Sequence, residues 1–337
     1  MSSETTERPV PGPDGVAGRT VVDGVDVLGS LSPSRAADFM ACPLLFRFRT
    51  VDRLPEPPSP VAVRGSVVHK VLEDLFDLPA PQRTAEHAAA LLVPAWAALV
   101  AAEPALAEMF GPDAPDGGDG GDGGGDGSDG EHGGDGSDGE HGGDGDGGLD
   151  ALLSSCLEPL GRYFTLEDPT HLEPAEREAY VEALLDSRLL LRGFVDRLDV
   201  TPSGDIRVVD YKTGRAPAEG YESKALFQMR FYALVLWKTR GVVPRMLQLV
   251  YLGSGEVLRY CPDEQDLRAT ERKVEALWRA IATARETGDW RPSRSALCGW
   301  CAHRSLCPEW GGTPPPLPAA EDDPCVDGTA EPAERLS

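Results

Sequence analysis

The stretch Leu191–Lys212, LRGFVDRLDVTPSGDIRVVDYK, decides the fold. It reads as two alternating strands joined by a Thr-Pro-Ser-Gly-Asp turn. A loop centred on Ser203 pairs residues whose numbers sum to 406, which sets Asp196 across from Asp210. Strand side chains alternate faces, so Lys212 shares the face of Asp210, with Phe194, Leu198, Val200, Ile206 and Val208 as its apolar lining. Arg197, Asp199, Arg207 and Tyr211 fall on the other face. Two opposed carboxylates at an apolar rim cost free energy unless a cation lies between them. A divalent metal with Lys212 beside it answers that cost.

The chain around this hairpin has 337 residues and a formal net charge of −24. Residues 111–150 hold thirteen acidic side chains and no Lys or Arg, and the arm 1–27 and tail 311–337 carry −3 and −5. The remainder, 28–110 with 151–310, is only −3, so the acidity belongs to appendages and does not exclude a nucleic-acid partner. The expected organisation is a disordered arm 1–27, a folded region 28–310 interrupted by a disordered insertion 111–150, and a disordered acidic tail 311–337. Within the insertion GDGSDGEHG occurs at 125–133 and again at 134–142. The apolar position of a calcium-binding β-helix repeat is missing, so a flexible surface insertion is expected. No apolar run reads as long enough to span a bilayer and the N-terminus lacks an apolar signal core, which points to a cytoplasmic chain with no membrane partner.

Outward from the hairpin, Ser32 or Ser34 caps a helix through Arg35–Phe39 toward Cys42-Pro43. A helix from Gly65 carries Val68, Leu72, Leu75 and Phe76 as its stripe, with His69 one step along, and an Ala-rich helix or pair follows through 84–110. Helical character resumes at 149–164, and 177–191 is strand-like, with Glu178 near its start. Then come an amphipathic helix closed by Gly241, strands at 246–252 and EVLRY, and a helix over about 263–287. Gln228 and Tyr232, four apart, share a helix face.

The chemistry of these residue types is specific. Phosphodiester hydrolysis needs a metal to polarise phosphoryl oxygens and activate water, and Mg²⁺ or Mn²⁺ takes carboxylates, a backbone carbonyl and water. A lysine alongside orients the water and stabilises charge building at phosphorus. His69, as a softer nitrogen ligand, tilts the preference toward Mn²⁺. Cys298-x-x-Cys301-x5-Cys307 calls for a soft metal or cluster, and Cys42, also before a proline, is the best fourth ligand. Spacing does not choose between structural Zn²⁺ and iron–sulfur. Cys156, Cys261 and Cys325 are bystanders.

Six elements in order, SPSRAADFMACP, RGSVVH, GFVDRLD, VVDYKTG, QMRFY and CGWCAHRSLC, give the chain a resemblance. It resembles a RecB-type nuclease of the PD-(D/E)xK superfamily, in the iron–sulfur branch with AddB-like and CRISPR-associated exonucleases. The match runs from Leu31 to about Trp310, with 111–150 foreign to the pattern and Asp210 where many relatives have Glu. The resemblance implies a restriction-endonuclease-like α/β fold, a mixed sheet flanked by helices with a helical N-terminal part and a Cys-rich closing segment. It implies that His69, Asp196, Asp210 and the Tyr211 backbone carbonyl hold catalytic Mg²⁺ or Mn²⁺, that Lys212 serves catalysis with Gln228 and Tyr232 beside it, and that Cys42, Cys298, Cys301 and Cys307 bind a [4Fe–4S] cluster. The implied activity is exonucleolytic hydrolysis of DNA, single-stranded or at duplex ends, in repair or recombination; the rival is an inactive nucleic-acid-binding scaffold of the same fold. Arg47, Arg49, Arg192, Arg215, Arg230 and Tyr232 are the expected DNA-backbone contacts. The chain has no GxxxxGK[ST] loop, so an unwinding helicase would be a separate partner.

Overall fold

The computed structural model describes residues 21–22, 25–57, 59–110, 147–217 and 223–318. Most of the arm, of the acidic tail and of the insertion, including both GDGSDGEHG copies, therefore lies outside the described residues. In chain order the elements are β1 (Val21–Val22), β2 (Val25–Asp26), β3 (Gly29–Leu31), α1 (Pro33–Ala41), α2 (Pro43–Phe46), α3 (Pro60–Leu75), α4 (Ala85–Ala90), α5 (Leu92–Ala102) and α6 (Ala105–Met109). They continue with α7 (Gly147–Leu166), β4 (Glu176–Leu184), β5 (Leu189–Val200), β6 (Ile206–Lys212), α8 (Ser223–Arg240), β7 (Met246–Tyr251), β8 (Glu256–Tyr260) and α9 (Glu264–Thr287). The local signals explain the boundaries. Ser32 caps α1, Asp263 makes a capping box on α9, and Gly288 closes α9 in the left-handed conformation at φ 71°.

The main sheet has six strands, in the order β3-β5-β6-β7-β8 with β4 on the other edge of β5. Its two faces bury separate cores. Leu198, Ile206 and Val208 join α8, α9 and the α1–α2 region, whereas Val209, Tyr211 and Val250 join α3, α5 and α7. A mixed sheet covered on both faces by helices is the expected architecture, and the structure has it.

Two expectations need correction. Residues 177–191 form two strands, not one, because the chain turns at Leu185–Arg188, where Leu185 N donates to Leu189 O and Arg188 takes φ 61°. Ala85–Ala102 is long and apolar enough to qualify as a membrane span by length and composition, against the expectation that no run would. It is divided at Leu91 into α4 and α5, and Ala88, Leu92, Ala95 and Trp96 are buried in the second core.

Candidate active site

The hairpin register is the one the turn dictates: Val200 pairs with Ile206, Asp199 with Arg207, Leu198 with Val208 and Arg197 with Val209. There the ladder stops, one pair short of Asp196 and Asp210. β4 occupies one edge of β5 throughout, so β3 and β6 share the other edge, at residues 189–191 and 197–200. Between them, residues 192–196 have no strand partner on that edge. β6 meanwhile runs on beside β7 through Lys212. The strands part where the carboxylates sit.

The strand alternation also breaks there. Gly193 and Val195 face α8, and so does Leu198, while Asp196 and Arg197 both turn to the α3 side, lining one cavity with His69, Leu72 and Tyr211. Phe194 consequently does not share the face of Leu198 as strict alternation requires; it packs on Tyr180. The same break occurs in β4. Arg177 pairs with Arg197 and Ala179 with Val195, but the pair between them, Glu178 with Asp196, is skipped, and Glu178 has φ 43°. A left-handed non-glycine residue inside a strand is strained and re-aims its side chain.

Two helices deliver the remaining groups. From α3, His69 Nδ1 lies 3.5 Å from Asp196 Oδ2, which also accepts the Tyr211 backbone N–H at 2.6 Å. The Tyr211 backbone N–H thus ties β6 to Asp196. From α8, Gln228 donates to Asp210 Oδ1 at 3.1 Å and to the Tyr232 hydroxyl at 3.3 Å, and accepts from Lys212 Nζ at 3.0 Å. Asp210 Oδ2 lies 2.9 Å from Lys212 Nζ without the alignment of a hydrogen bond, and its side chain is 3% exposed. The site thus assembles His69, Asp196, Asp210, Lys212, Gln228 and Tyr232. Asp196 approaches the opening from the α3 side and Asp210 from the α8 side.

Sequence reasoning passed over Glu178 as a site residue. His69, Glu178 and Asp196 bring one ligand atom each within 4.8 Å of the others, a grouping able to hold a cation. The signal was weak, since a lone glutamate near a strand start looks like any solvated residue.

Electrostatics follow from the crowding. Burial raises Asp210 to about 6, with Lys212 opposing and Asp196 adding to the rise. Burial also works against ionisation of Asp196, but the neighbouring His69 and Lys212 hold its carboxyl below the ordinary value. For His69 burial works downward, yet Asp196 overrides it and lifts the imidazole to about 9. Because the imidazole is lifted above its ordinary 6.5, this pair stabilises the metal-free protein fully below that pH, a contribution lost as pH rises through about 9. A metal ligand must shed that proton. Mn²⁺ affinity should therefore rise by up to about tenfold per pH unit between roughly 6.5 and 9, with proton release in calorimetry; a flat profile would contradict the pairing.

Gly193 has a packing reason. A Cβ there would lie 2.8 Å from Tyr232 Cε1, so the ring of Tyr232 rests on the glycine backbone. Gly193→Ala is expected to push Tyr232 off Gln228, costing about 1–3 kcal/mol by overpacking and at least about tenfold in the rate of any reaction at this site. Urea denaturation and a rate measurement check this, and an unchanged rate would count against the Tyr232–Gln228 link.

The expected DNA contacts are largely engaged elsewhere. Arg47 is 7% exposed, pairs with Asp52 at 2.9 Å and donates to Pro315 O, inside the stretch expected to be tail. Arg192 is 4% and Tyr232 6% exposed. Arg49 is held between Asp38 and Glu56, and Arg230 stacks on Tyr260. Of that set Arg49 and Arg215 are exposed, and Arg215 lies just beyond Lys212.

The four cysteines come together as well. Cys42, at the α1–α2 junction, lines one cavity with Cys298, Cys301 and Cys307. Backbone N–H groups of Ser293 and Ser295 donate to the sulfurs of Cys42 and Cys298, each at 3.3 Å. Burial raises the Cys301 thiol, and Cys42 and Cys307 nearby raise it further. Around them Phe46 stacks on Trp290, and buried His303 meets Phe48 and Glu56. The N-terminal helices and the closing segment are joined by this cluster of contacts.

The PD-(D/E)XK nuclease superfamily model matches residues 30–308. No curated protein matches the chain. Among solved structures, a provisionally assigned exonuclease from Eubacterium rectale is similar at 12% identity, over 82% of this chain and 88% of that one, with a TM-score of 0.47. The protein SSO0001 is similar at 19% identity, over 48% of this chain and 71% of that one, with a TM-score of 0.30.

Proposed function

The chain belongs to the PD-(D/E)XK nuclease superfamily, and from that premise we propose that it is a divalent-metal-dependent exonuclease acting on DNA ends or single strands in repair or recombination. The observation that carries this reading is the parting of β5 and β6, with Asp196 and His69 on one side of the opening and Asp210, Lys212 and Gln228 on the other. The donor set fits a hard cation with one softer ligand: the carboxylates of Asp196 and buried Asp210, and the His69 imidazole. His69, Asp196, Asp210 and the Tyr211 carbonyl would hold Mn²⁺ or Mg²⁺, which supplies polarisation of the phosphate and activation of water. Lys212, tied to Asp210 through Gln228, presents an ammonium where negative charge builds on phosphorus. Tyr232 fixes Gln228 from behind. The test is degradation of end-labelled single- and double-stranded DNA with and without Mn²⁺. Mononucleotide or short products from the labelled end are expected, and inert DNA at saturating metal would overturn the proposal.

We further propose that Cys42, Cys298, Cys301 and Cys307 bind a [4Fe–4S] cluster with a structural role. All four line one cavity, and backbone N–H groups of Ser293 and Ser295 donate to two of their sulfurs, which supports a group held by thiolates there. Anaerobically purified protein should be brown, absorb near ~400 nm and carry iron. A colourless, zinc-loaded protein would contradict this.

A further inference from the structure

The skipped pair in the β4–β5 ladder is where one strand residue leaves the sheet for a purpose. Every other residue of β4 has its β5 partner, from Glu176 with Leu198 to Leu184 with Leu190, and only Glu178 with Asp196 is missing. Its neighbours Arg177 and Ala179 are in register on both sides, so no insertion forces the break. Glu178 instead takes φ 43°, a conformation that L residues other than Asn, Asp and Gly avoid. The result brings the Glu178 carboxylate within 4.8 Å of the His69 and Asp196 ligand atoms, on the wall of the cavity these two share. Two carboxylates so placed share the charge of one imidazole, and a divalent cation would balance both.

We propose that Glu178 is a further protein ligand of the divalent cation, opposite the Asp210 side of the opening. This rests on the metal-dependent nuclease reading. With Glu178 the α3 side of the opening offers three ligands of its own, one imidazole nitrogen and two carboxylates, whereas the α8 side offers Asp210. The left-handed backbone is the local cost of placing the third ligand, and a hard cation is the class of ligand that three such groups recognise. The extra carboxylate adds charge to the site and strengthens cation binding beyond what His69, Asp196 and Asp210 give.

The test is Mn²⁺ binding to the full-length protein, followed by the loss of the free-ion electron paramagnetic resonance signal, for the parent, Glu178→Gln and Asp196→Asn. Glu178→Gln is expected to weaken Mn²⁺ at least about tenfold while the metal-free protein melts within a few degrees of the parent. Asp196→Asn should weaken Mn²⁺ also. If Asp196→Asn weakens binding and Glu178→Gln leaves it unchanged, this assignment fails and the nuclease reading stands. If neither variant changes binding, the metal site itself is misplaced. Should Glu178→Gln not fold, Glu178→Asn decides by the same threshold, since Asn tolerates the left-handed backbone and is too short to replace the ligand.

Discussion

Asp210→Asn is expected to abolish Mn²⁺-dependent DNA degradation, with a fall of at least about a thousandfold, while leaving the fold intact. Asp210 meets both partners on its side of the opening: Gln228 donates to one carboxylate oxygen, and the other faces Lys212. The amide keeps the shape and removes the charge that would hold the cation and fix the ammonium. Because burial already disfavours ionised Asp210, raising it to about 6, the neutral substitute should not destabilise the metal-free protein. Circular dichroism and the melting temperature should match the parent. Full activity in this variant would remove Asp210 from the site.

The second large effect concerns stability. Arg197 is 1% exposed and holds Glu167, just past the end of α7, at 2.7 Å and Asp199 at 3.1 Å, and it donates to the Tyr211 hydroxyl. Glu167 also accepts from Gln248 on β7 at 2.8 Å. One buried cation thus pins four elements directly behind Asp196. Burial opposes the charge on Glu167, yet Arg197 keeps its carboxyl below the ordinary value. That contribution is present above the ordinary glutamate value of 4.5 and is lost as pH falls through the depressed value in the folded protein. Arg197→Ala strands the carboxylate in the interior, and a loss of about 3–5 kcal/mol is expected. Urea denaturation measures it. A loss under about 1 kcal/mol would show that water replaces the arginine at little cost.

Arg197 also marks where sequence reasoning reached its limit. The register of the hairpin was legible because a short turn and a period of two leave little freedom. The clustering of Cys42 with the three later cysteines was legible from thiol chemistry. What strict alternation missed is the phase break at Asp196. Nothing in the residues Phe194–Leu198 announces that both Asp196 and Arg197 turn to one side, because the cause lies in β4 and α3, distant in sequence. Glu178 was passed over for the same reason. Arg47 and Arg192 were assigned to DNA from charge alone, and burial assigns them to the interior. Charge is read locally, whereas burial is a property of the assembled chain.

The central claim is that a cation sits in the opening between β5 and β6. A crystal of the protein soaked in Mn²⁺ and measured at the manganese absorption edge tests it most directly. An anomalous peak bounded by His69, Asp196 and Asp210 is expected. Saturating Mn²⁺ with no peak there, or a peak only at another place on the molecule, would contradict the account.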